Sequence, residues 1–127
     1  MTCNVPTINI IEDDEAVRAS LVALFSAARL PSKCYGSAEE YLADEPFNSR
    51  GCLVVDVRLP GLTGVELLER LEAQNCGLPC LLTSGHGDAD VINRLSNRDS
   101  VWFFEKPCDP KQVIEQVKVA LDGHLSR

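Results

Sequence analysis

Side chains suited to phosphoryl or metal chemistry stand at four places in this 127-residue sequence, each directly after a short apolar run. A carboxylate can attack a phosphoryl group as a nucleophile, and hard divalent cations prefer carboxylate oxygens as ligands. Phosphoryl transfer also requires neutralisation of charge, which a metal ion and a lysine supply, while a hydroxyl can hydrogen-bond to the phosphoryl oxygens. The residues of these types are Glu12, Asp13, Asp56, Ser84 and Lys106.

Apolar runs and amphipathic stretches alternate strictly along the chain, which predicts five strand–helix units. Such alternation is typical of a doubly wound α/β fold, in which helices cover both faces of a parallel sheet. Ligands bind outside the carboxyl ends of the strands in these sheets, so we expect the side chains named above to meet at one edge. The predicted strands are Thr7–Ile11, Lys33–Tyr35, Cys52–Val55, Pro79–Thr83 and Val101–Phe104.

The helices are predicted from their N-terminal signals and from apolar residues at helical spacing. Ser37–Glu40 and Thr63–Glu66 are both capping-box patterns, in which the hydroxyl and the Glu carboxylate accept reciprocally from backbone N–H groups. Asp88 is placed to cap the fourth helix, and Asp109 followed by Pro110 predicts the start of the last one. The apolar face of the first helix is predicted to carry Val17, Leu21, Leu24, Phe25 and Ala28.

The composition indicates one acidic globular domain, expected to span residues 1–127. The chain has 12 Lys+Arg and 19 Asp+Glu, and its net charge of −7 argues against nonspecific nucleic-acid binding. No apolar run approaches the roughly 18 residues that suggest a membrane span. Since no basic segment leading into an apolar one is found at the N-terminus, we expect a cytoplasmic protein without a signal peptide.

Six cysteines are present, but their spacing does not indicate a disulfide framework or a zinc site. Cys76 and Cys80 are four apart, which matches neither the Cys-x-x-Cys redox spacing nor a zinc knuckle. We therefore expect free thiols in a reducing compartment.

Four segments together resemble the bacterial two-component response-regulator receiver domain, and the resemblance covers essentially the whole chain. No single segment would suffice; their order, with each at a predicted strand end, is what makes the likeness specific. The last two segments are most similar to receivers that precede LuxR-type helix-turn-helix output domains. The segments are Ile10–Asp14, Asp56–Gly64, Thr83–Asp88 and Phe103–Pro107.

The resemblance implies a flavodoxin-like (βα)5 fold with a five-stranded parallel sheet of strand order 2-1-3-4-5. It also implies that Asp56 is the phospho-acceptor and that Lys106 pairs with the phosphoryl group. A divalent cation, Mg²⁺, is implied as the cofactor. Its protein ligands would be Glu12, Asp13, Asp56 and the backbone carbonyl of Arg58.

The resemblance further implies two switch residues and one unusual peptide bond. Ser84 matches the switch hydroxyl, although the family often has Thr there, and Phe103 matches the aromatic switch position on strand five. A cis peptide is implied before Pro107. At the end of the fourth helix, Asp99 stands where the family usually has Gly, so the conformation of Asn97–Ser100 is left open.

Partners are implied in the same way. A histidine kinase would donate the phosphoryl group, and the face formed by helix four, strand five and helix five would then control an output domain or another protein, in transcription regulation. The domain would catalyse only its own phosphorylation and dephosphorylation, so it is not otherwise expected to be an enzyme. No output domain is expected within the chain, nor direct contact with nucleic acid or membrane; a homodimer on phosphorylation is compatible with the sequence.

Two alternatives compete with this interpretation. A pseudo-receiver would use the same fold as a binding module without phosphorylation, which the changed segment after helix four favours and the intact acids and lysine oppose. A cofactor carrier such as a flavodoxin-like FMN protein would need a first loop that cradles phosphate with N–H groups. Glu12, Asp13 and Asp14 in that loop would repel a phosphate instead.

Overall fold

The computed structural model describes residues 7–44, 51–74, 78–85, 87–95, 98, 100–106 and 108–125, with the side chains described up to residue 121. Strands and helices alternate five times. The strands are β1 Thr7–Ile11, β2 Ser32–Tyr35, β3 Gly51–Asp56, β4 Cys80–Ser84 and β5 Val101–Glu105. The helices are α1 Glu15–Ala27, α2 Ala38–Ala43, α3 Gly64–Ala73, α4 Ala89–Leu95 and α5 Pro110–Leu125.

All the strands pair in parallel in a single sheet of order β2-β1-β3-β4-β5. This confirms the predicted doubly wound fold and its strand order. The order reverses between β1 and β3, which places the topological switch point beside the ends of these two strands. The carboxyl ends of β1, β3, β4 and β5 therefore form one edge of the sheet.

Two hydrophobic layers cover the sheet, one on each face. One layer packs α2, α3 and α4 against residues such as Val55 and Leu82, and the other packs α1 and α5 against Ile10 and Leu81. Neighbouring residues along a strand point to opposite faces, so the central strands are apolar almost throughout. Since both faces are covered, β3 is buried over Gly51–Val55 and only Asp56 emerges at its end.

The first helix is more open than its sequence pattern predicts. Phe25 is fully buried, but Val17 is 37% exposed and Leu21 and Leu24 are only partly buried. Val17 lies near the carboxyl edge of the sheet, where it lines a cavity instead of packing into the core.

The helix caps confirm one predicted capping box and correct the other. Thr63 Oγ1 accepts from the Glu66 N–H at 3.2 Å, and Glu66 Oε1 accepts from the Thr63 N–H at 3.1 Å. In α2, Ser37 Oγ accepts from the Glu40 N–H, but the Glu40 carboxylate accepts from the Gly36 N–H. The predicted box at α2 is therefore only half formed, because the turn before this helix offers the Glu40 carboxylate the N–H of Gly36 instead of that of Ser37.

Thr63→Ala should lower the free energy of unfolding by about 1 kcal/mol, since it removes the side-chain half of the α3 cap. The measurement is urea denaturation of both proteins, analysed as a two-state transition. Thr63→Ser, which retains the hydroxyl, is the matched control and should stay close to the native value. Equal losses for Ala and Ser would show that the methyl group matters and that the cap does not.

Candidate functional site

The ends of four parallel strands bring the predicted site residues together. Ile11 is in register with Val55, and Asp56 is in register with Thr83, so Glu12 and Asp56 leave adjacent strands at the same level. Ser84 is in register with Glu105, which places the following residue, Lys106, at the same edge. The sequence alone could predict this convergence, because parallel strands end on the same side.

Lys106 is the cation at the centre of the site. Its Nζ lies 2.6 Å from Asp56 Oδ2 and 4.0 Å from Glu12 Oε1. Burial disfavours the ammonium, but the hydrogen bond to Asp56 and the attraction of both carboxylates outweigh it and raise the pKa of Lys106. The lysine therefore stays charged and faces the acids.

Glu12, Asp13 and Asp56 form an acidic cluster whose carboxylate oxygens lie within 4.8 Å of one another. Glu12 is buried and Asp13 is exposed, while the Asp56 side chain is 11% exposed. Burial raises the pKa of Glu12 to about 7; Lys106 opposes this rise, and the neighbouring Asp56 and Asp13 add to it. Carboxylates crowded in this way, open to solvent on one side, form the donor set that a hard divalent cation requires.

Backbone groups hold Asp56 in place. The Arg58 N–H donates to Asp56 Oδ1 at 2.9 Å, so Lys106 and Arg58 bind different oxygens of the same carboxylate. The first residue of α3, Gly64, lies against the end of β3, where a Cβ atom would come within 2.7 Å of the Asp56 carbonyl oxygen. The absence of a side chain at Gly64 is therefore a condition of the site's geometry.

The turn that carries the first two acids is held by side chains of α1. Arg18 Nη1 donates to the Glu12 carbonyl oxygen at 2.8 Å. Asp14 caps the helix, because its Oδ1 accepts from the Ala16 and Val17 N–H groups at 2.9 and 3.1 Å. Asp14 therefore has a structural role, whereas Glu12 and Asp13 face the site.

Ser84 and Phe103 lie on the α4 side of the sheet. Ser84 is 1% exposed, and its Oγ has no hydrogen-bond partner among the described residues. Its carbonyl oxygen accepts from the Lys106 N–H at 2.7 Å, which fixes the end of β4 to the end of β5. Phe103 is half-buried against the core layer that contains Leu82 and Leu95.

Three further residues of the site were not identified from the sequence: the Arg58 side chain, Arg18 and Gly64. Arg58 Nε donates to Asp88 Oδ1 at 2.7 Å. Such contacts depend on where long side chains turn, and the pattern of apolar residues holds no signal for that. Among these three residues, Gly64 could have been found from the sequence. Glycine has a low intrinsic propensity for helices, so a glycine at the first position of a predicted helix indicates close packing there.

Some predictions fall on residues that the structure does not describe. The proposed cis peptide involves Pro107, and the altered end of the fourth helix involves Asn97 and Asp99; all three lie outside the described residues. Of the six cysteines, Cys34, Cys52, Cys80 and Cys108 are described, and all four are free thiols, as predicted.

A cavity of about 470 Å³ opens beside the acidic cluster. Its walls combine the site residues Glu12, Asp56 and Lys106 with apolar side chains of α1 and the sheet. The remaining lining residues are Ile11, Val17, Leu21, Val54, Thr83 and Cys108. The site is therefore bordered by an apolar recess on the α1 side.

The fold and the site define an α/β domain with an acidic cluster and a lysine at the switch point of a doubly wound sheet. The sequence profile of the response regulator receiver domain matches residues 8–118. The chain belongs to the response regulator receiver domain family, which confirms the resemblance seen in the sequence.

Transcriptional regulatory proteins are among the curated relatives. The chain is 37% identical over 114 residues to the transcriptional regulatory protein FixJ of Bradyrhizobium diazoefficiens, covering 90% of this chain and 56% of FixJ. It is 30% identical over 123 residues to the C4-dicarboxylate transport transcriptional regulatory protein DctR of Rhodobacter capsulatus, covering 95% of this chain and 62% of DctR. The chain thus spans little more than half the length of these relatives.

Solved structures agree with the fold. The crystal structure of FixJ-N matches with a TM-score of 0.83 at 34% identity, covering 92% of this chain and 94% of that one. The response regulator StyR matches with a TM-score of 0.88 at 30% identity, covering 96% of this chain and 62% of StyR. Within the described part of the chain, no helix has the length and apolar character needed to span a bilayer.

The raised pKa of Glu12 predicts a pH dependence of stability in metal-free buffer. A carboxyl group whose pKa is higher in the folded than in the unfolded state stabilises the fold at low pH. This stabilisation is lost as the pH rises through the pKa of the folded state, which is about 7 for Glu12. Glu12→Gln resembles the neutral acid, so the variant should lose less stability than the native protein between about pH 5 and about pH 8. The difference should be on the order of 2 kcal/mol.

Urea denaturation at the two pH values in the presence of a chelator measures this difference. Glu115→Gln, at an exposed position on α5, is the matched control and should follow the native protein. The same pH dependence in native protein and Glu12→Gln would contradict the assignment of the raised pKa to Glu12.

Proposed function

We propose that this domain accepts a phosphoryl group from a histidine kinase on Asp56, in a Mg²⁺-dependent reaction, and thereby switches a binding surface that controls transcription. The observation that carries the proposal is the 2.6 Å contact of Lys106 Nζ with Asp56 Oδ2, inside the cluster formed with Glu12 and Asp13. Membership of the receiver family supports the same function.

The residues present fit a bound Mg²⁺. Glu12, Asp13 and Asp56 would hold it, together with the backbone carbonyl of Arg58, which follows Asp56 by two positions. When bound, Mg²⁺ neutralises negative charge on the phosphoryl oxygens. Lys106, which lies within ion-pairing distance of Glu12 and Asp56, supplies a further positive charge to this cluster.

The chain's own residues position the acceptor for in-line transfer. One oxygen of Asp56 forms a bond to phosphorus, the bond from phosphorus to the kinase histidine nitrogen breaks, and its electron pair stays on that nitrogen. The Arg58 N–H, 2.9 Å from Asp56 Oδ1, orients the carboxylate. Lys106 would move from the carboxylate to the oxygens of the transferred group, where the negative charge then lies.

The switch would begin at Ser84. A phosphoryl group on Asp56 offers acceptor oxygens close to a buried hydroxyl that has no partner among the described residues. Movement of Ser84 would shift the loop after β4, and Phe103, half-buried on the neighbouring strand, would change rotamer. The face formed by α4, β5 and α5 would then bind differently, which is a local charge event acting on a two-state element.

Partners follow from the relatives. The matched regions cover 56% of FixJ and 62% of DctR, both of which are transcriptional regulatory proteins, so we infer an output domain or partner protein with that role. Homodimerisation on phosphorylation is compatible with the exposed α5 face. We infer no catalysis beyond phosphorylation and dephosphorylation of the domain itself. A cytoplasmic location would suit the free thiols of the described cysteines.

Incubation with acetyl phosphate and Mg²⁺ should add the mass of one phosphoryl group to the protein, measured by intact-protein mass spectrometry. The gain should disappear in Asp56→Asn, which keeps the shape of the side chain but lacks the nucleophilic carboxylate, and without Mg²⁺. A native protein that binds Mg²⁺ but gains no mass would instead favour a receiver-shaped binding module.

Binding of Mg²⁺ should release protons near neutral pH, because Glu12 must lose the proton favoured by its pKa of about 7 before it can act as a ligand. The affinity should therefore increase as the pH rises through that value. Isothermal titration calorimetry in two buffers with different ionisation enthalpies measures the number of protons released. Glu12→Gln should bind more weakly and release fewer protons; equal release would place the titrating group elsewhere.

A further inference from the structure

One buried carboxylate near the site has no part in the mechanism above. Asp88, directly before α4, is 3% exposed. Its Oδ1 accepts from Arg58 Nε at 2.7 Å, and its Oδ2 accepts from the Gly85 N–H at 2.8 Å. The sequence predicted that Asp88 caps α4. Its carboxylate instead binds Arg58, in the loop after β3, and Gly85, which directly follows β4.

Arg58 connects this carboxylate to the acceptor. Its backbone N–H donates to Asp56 Oδ1, while its side chain binds Asp88. On the opposite side, Lys106 donates through Nζ to Asp56 and through its backbone N–H to the Ser84 carbonyl oxygen. Two chains of hydrogen bonds thus run from Asp56. One reaches the carbonyl oxygen and the other the N–H of the same peptide group, which joins Ser84 to Gly85.

The loop after β4 is otherwise loosely packed where it is described. A Cβ atom on Gly85 would meet no atom within 4 Å, and Gly87 has a φ of +92°. The nearest atom to a Cβ on Gly87 would be Arg58 Nη2, at 3.5 Å. The Arg58 guanidinium therefore lies beside Gly87 of this loop, and the Asp88 carboxylate binds the N–H of Gly85 in the same loop.

The ion pair joins a buried carboxylate to an exposed guanidinium. Burial would raise the pKa of Asp88, but the Arg58 side chain and the Gly85 N–H outweigh burial and lower it, so the carboxylate is charged. A charged group buried in this way depends on its partners. The Arg58 side chain is 68% exposed, so water can compete for the guanidinium and the pair can open.

We propose that the Arg58–Asp88 ion pair is a latch that restrains Ser84 in the unphosphorylated domain and must weaken before the Ser84 hydroxyl can reach a phosphoryl group on Asp56. Arg58 and Asp88 are then positioning residues that act through Ser84. The proposal rests on the proposed function and adds to it a restraint that sets how readily the switch responds. A ligand bound at Asp56 has to work against this restraint, so a weaker latch increases the apparent affinity.

The probe is beryllofluoride with Mg²⁺, a mimic of the phosphoryl group, and the measurement is its affinity for native protein, Arg58→Met, Asp88→Asn and the double variant. Asp88→Asn retains an oxygen for the Gly85 N–H, and Arg58→Met retains the backbone groups that contact Asp56. Each single variant should bind about three- to tenfold more tightly than the native protein, and the double variant should gain little more.

The direction of the two effects separates a latch from long-range electrostatics. The field alone would make the variants opposite, because Arg58→Met removes a positive charge near the anionic probe and Asp88→Asn removes a negative one. A latch makes both variants bind more tightly. In a Ser84→Ala background, neither substitution should change the affinity, whereas a general loosening of the fold would act there as well.

Amide NMR without metal or probe gives a second readout. The Gly85 amide signal of both single variants should move from its native position toward that of the probe-bound native protein. Opposite shifts in affinity, or equal effects with and without the Ser84 hydroxyl, would overturn the latch. A native protein that binds no beryllofluoride would instead overturn the proposed function, and unchanged Gly85 signals in both variants would then refute the latch as well.

Discussion

Mutual repulsion of carboxylates at the edge of one sheet is the constraint on which the rest of the structure depends. Glu12, Asp13 and Asp56 place carboxylate oxygens within 4.8 Å of one another, and the Lys106 ammonium, among the described residues, opposes them. Such an arrangement is unfavourable by itself: burial raises the pKa of Glu12 to about 7, and the neighbouring Asp56 and Asp13 add to this rise although Lys106 opposes it. It persists because the parallel strands, the capped helices and the backbone contacts hold the acids where they are, and it leaves at this edge a set of oxygen donors suited to a divalent cation.

The fold and the convergence of the site were predictable from the sequence because both follow from periodic patterns. Five apolar runs separated by amphipathic stretches leave few ways to form a parallel sheet, and the strand order implied by family resemblance was confirmed. Once parallel strands are assumed, Asp56 and Lys106 must lie at the same edge, although 50 residues separate them. The chain's membership of the receiver family was likewise visible in four short segments.

Contacts that depend on the direction of one side chain were not predictable in this way. Glu40 has the spacing of a capping box but accepts from Gly36, because the preceding turn brings that N–H closer. Asp88 has the position of a cap but binds Arg58, 30 residues away. Local spacing limits the choices of a short polar side chain, and the tertiary structure decides among them. The roles of Ser84 and Phe103 stay predictions for the same reason.

The contact at Gly64 has a mechanical consequence. With no room for a side chain between α3 and the end of β3, the first residue of this helix lies directly against the backbone of Asp56. A larger residue at position 64 would therefore have to push the start of α3 away from β3 or displace the Asp56 backbone. The neighbouring helix α4 lies on the same face of the sheet but has only seven residues, and its exposed Arg94 forms an ion pair with Glu69 of α3. The start of α3 thus contacts Asp56 through backbone atoms, whereas the ion pair between α4 and α3 is formed by exposed side chains, for which water can compete.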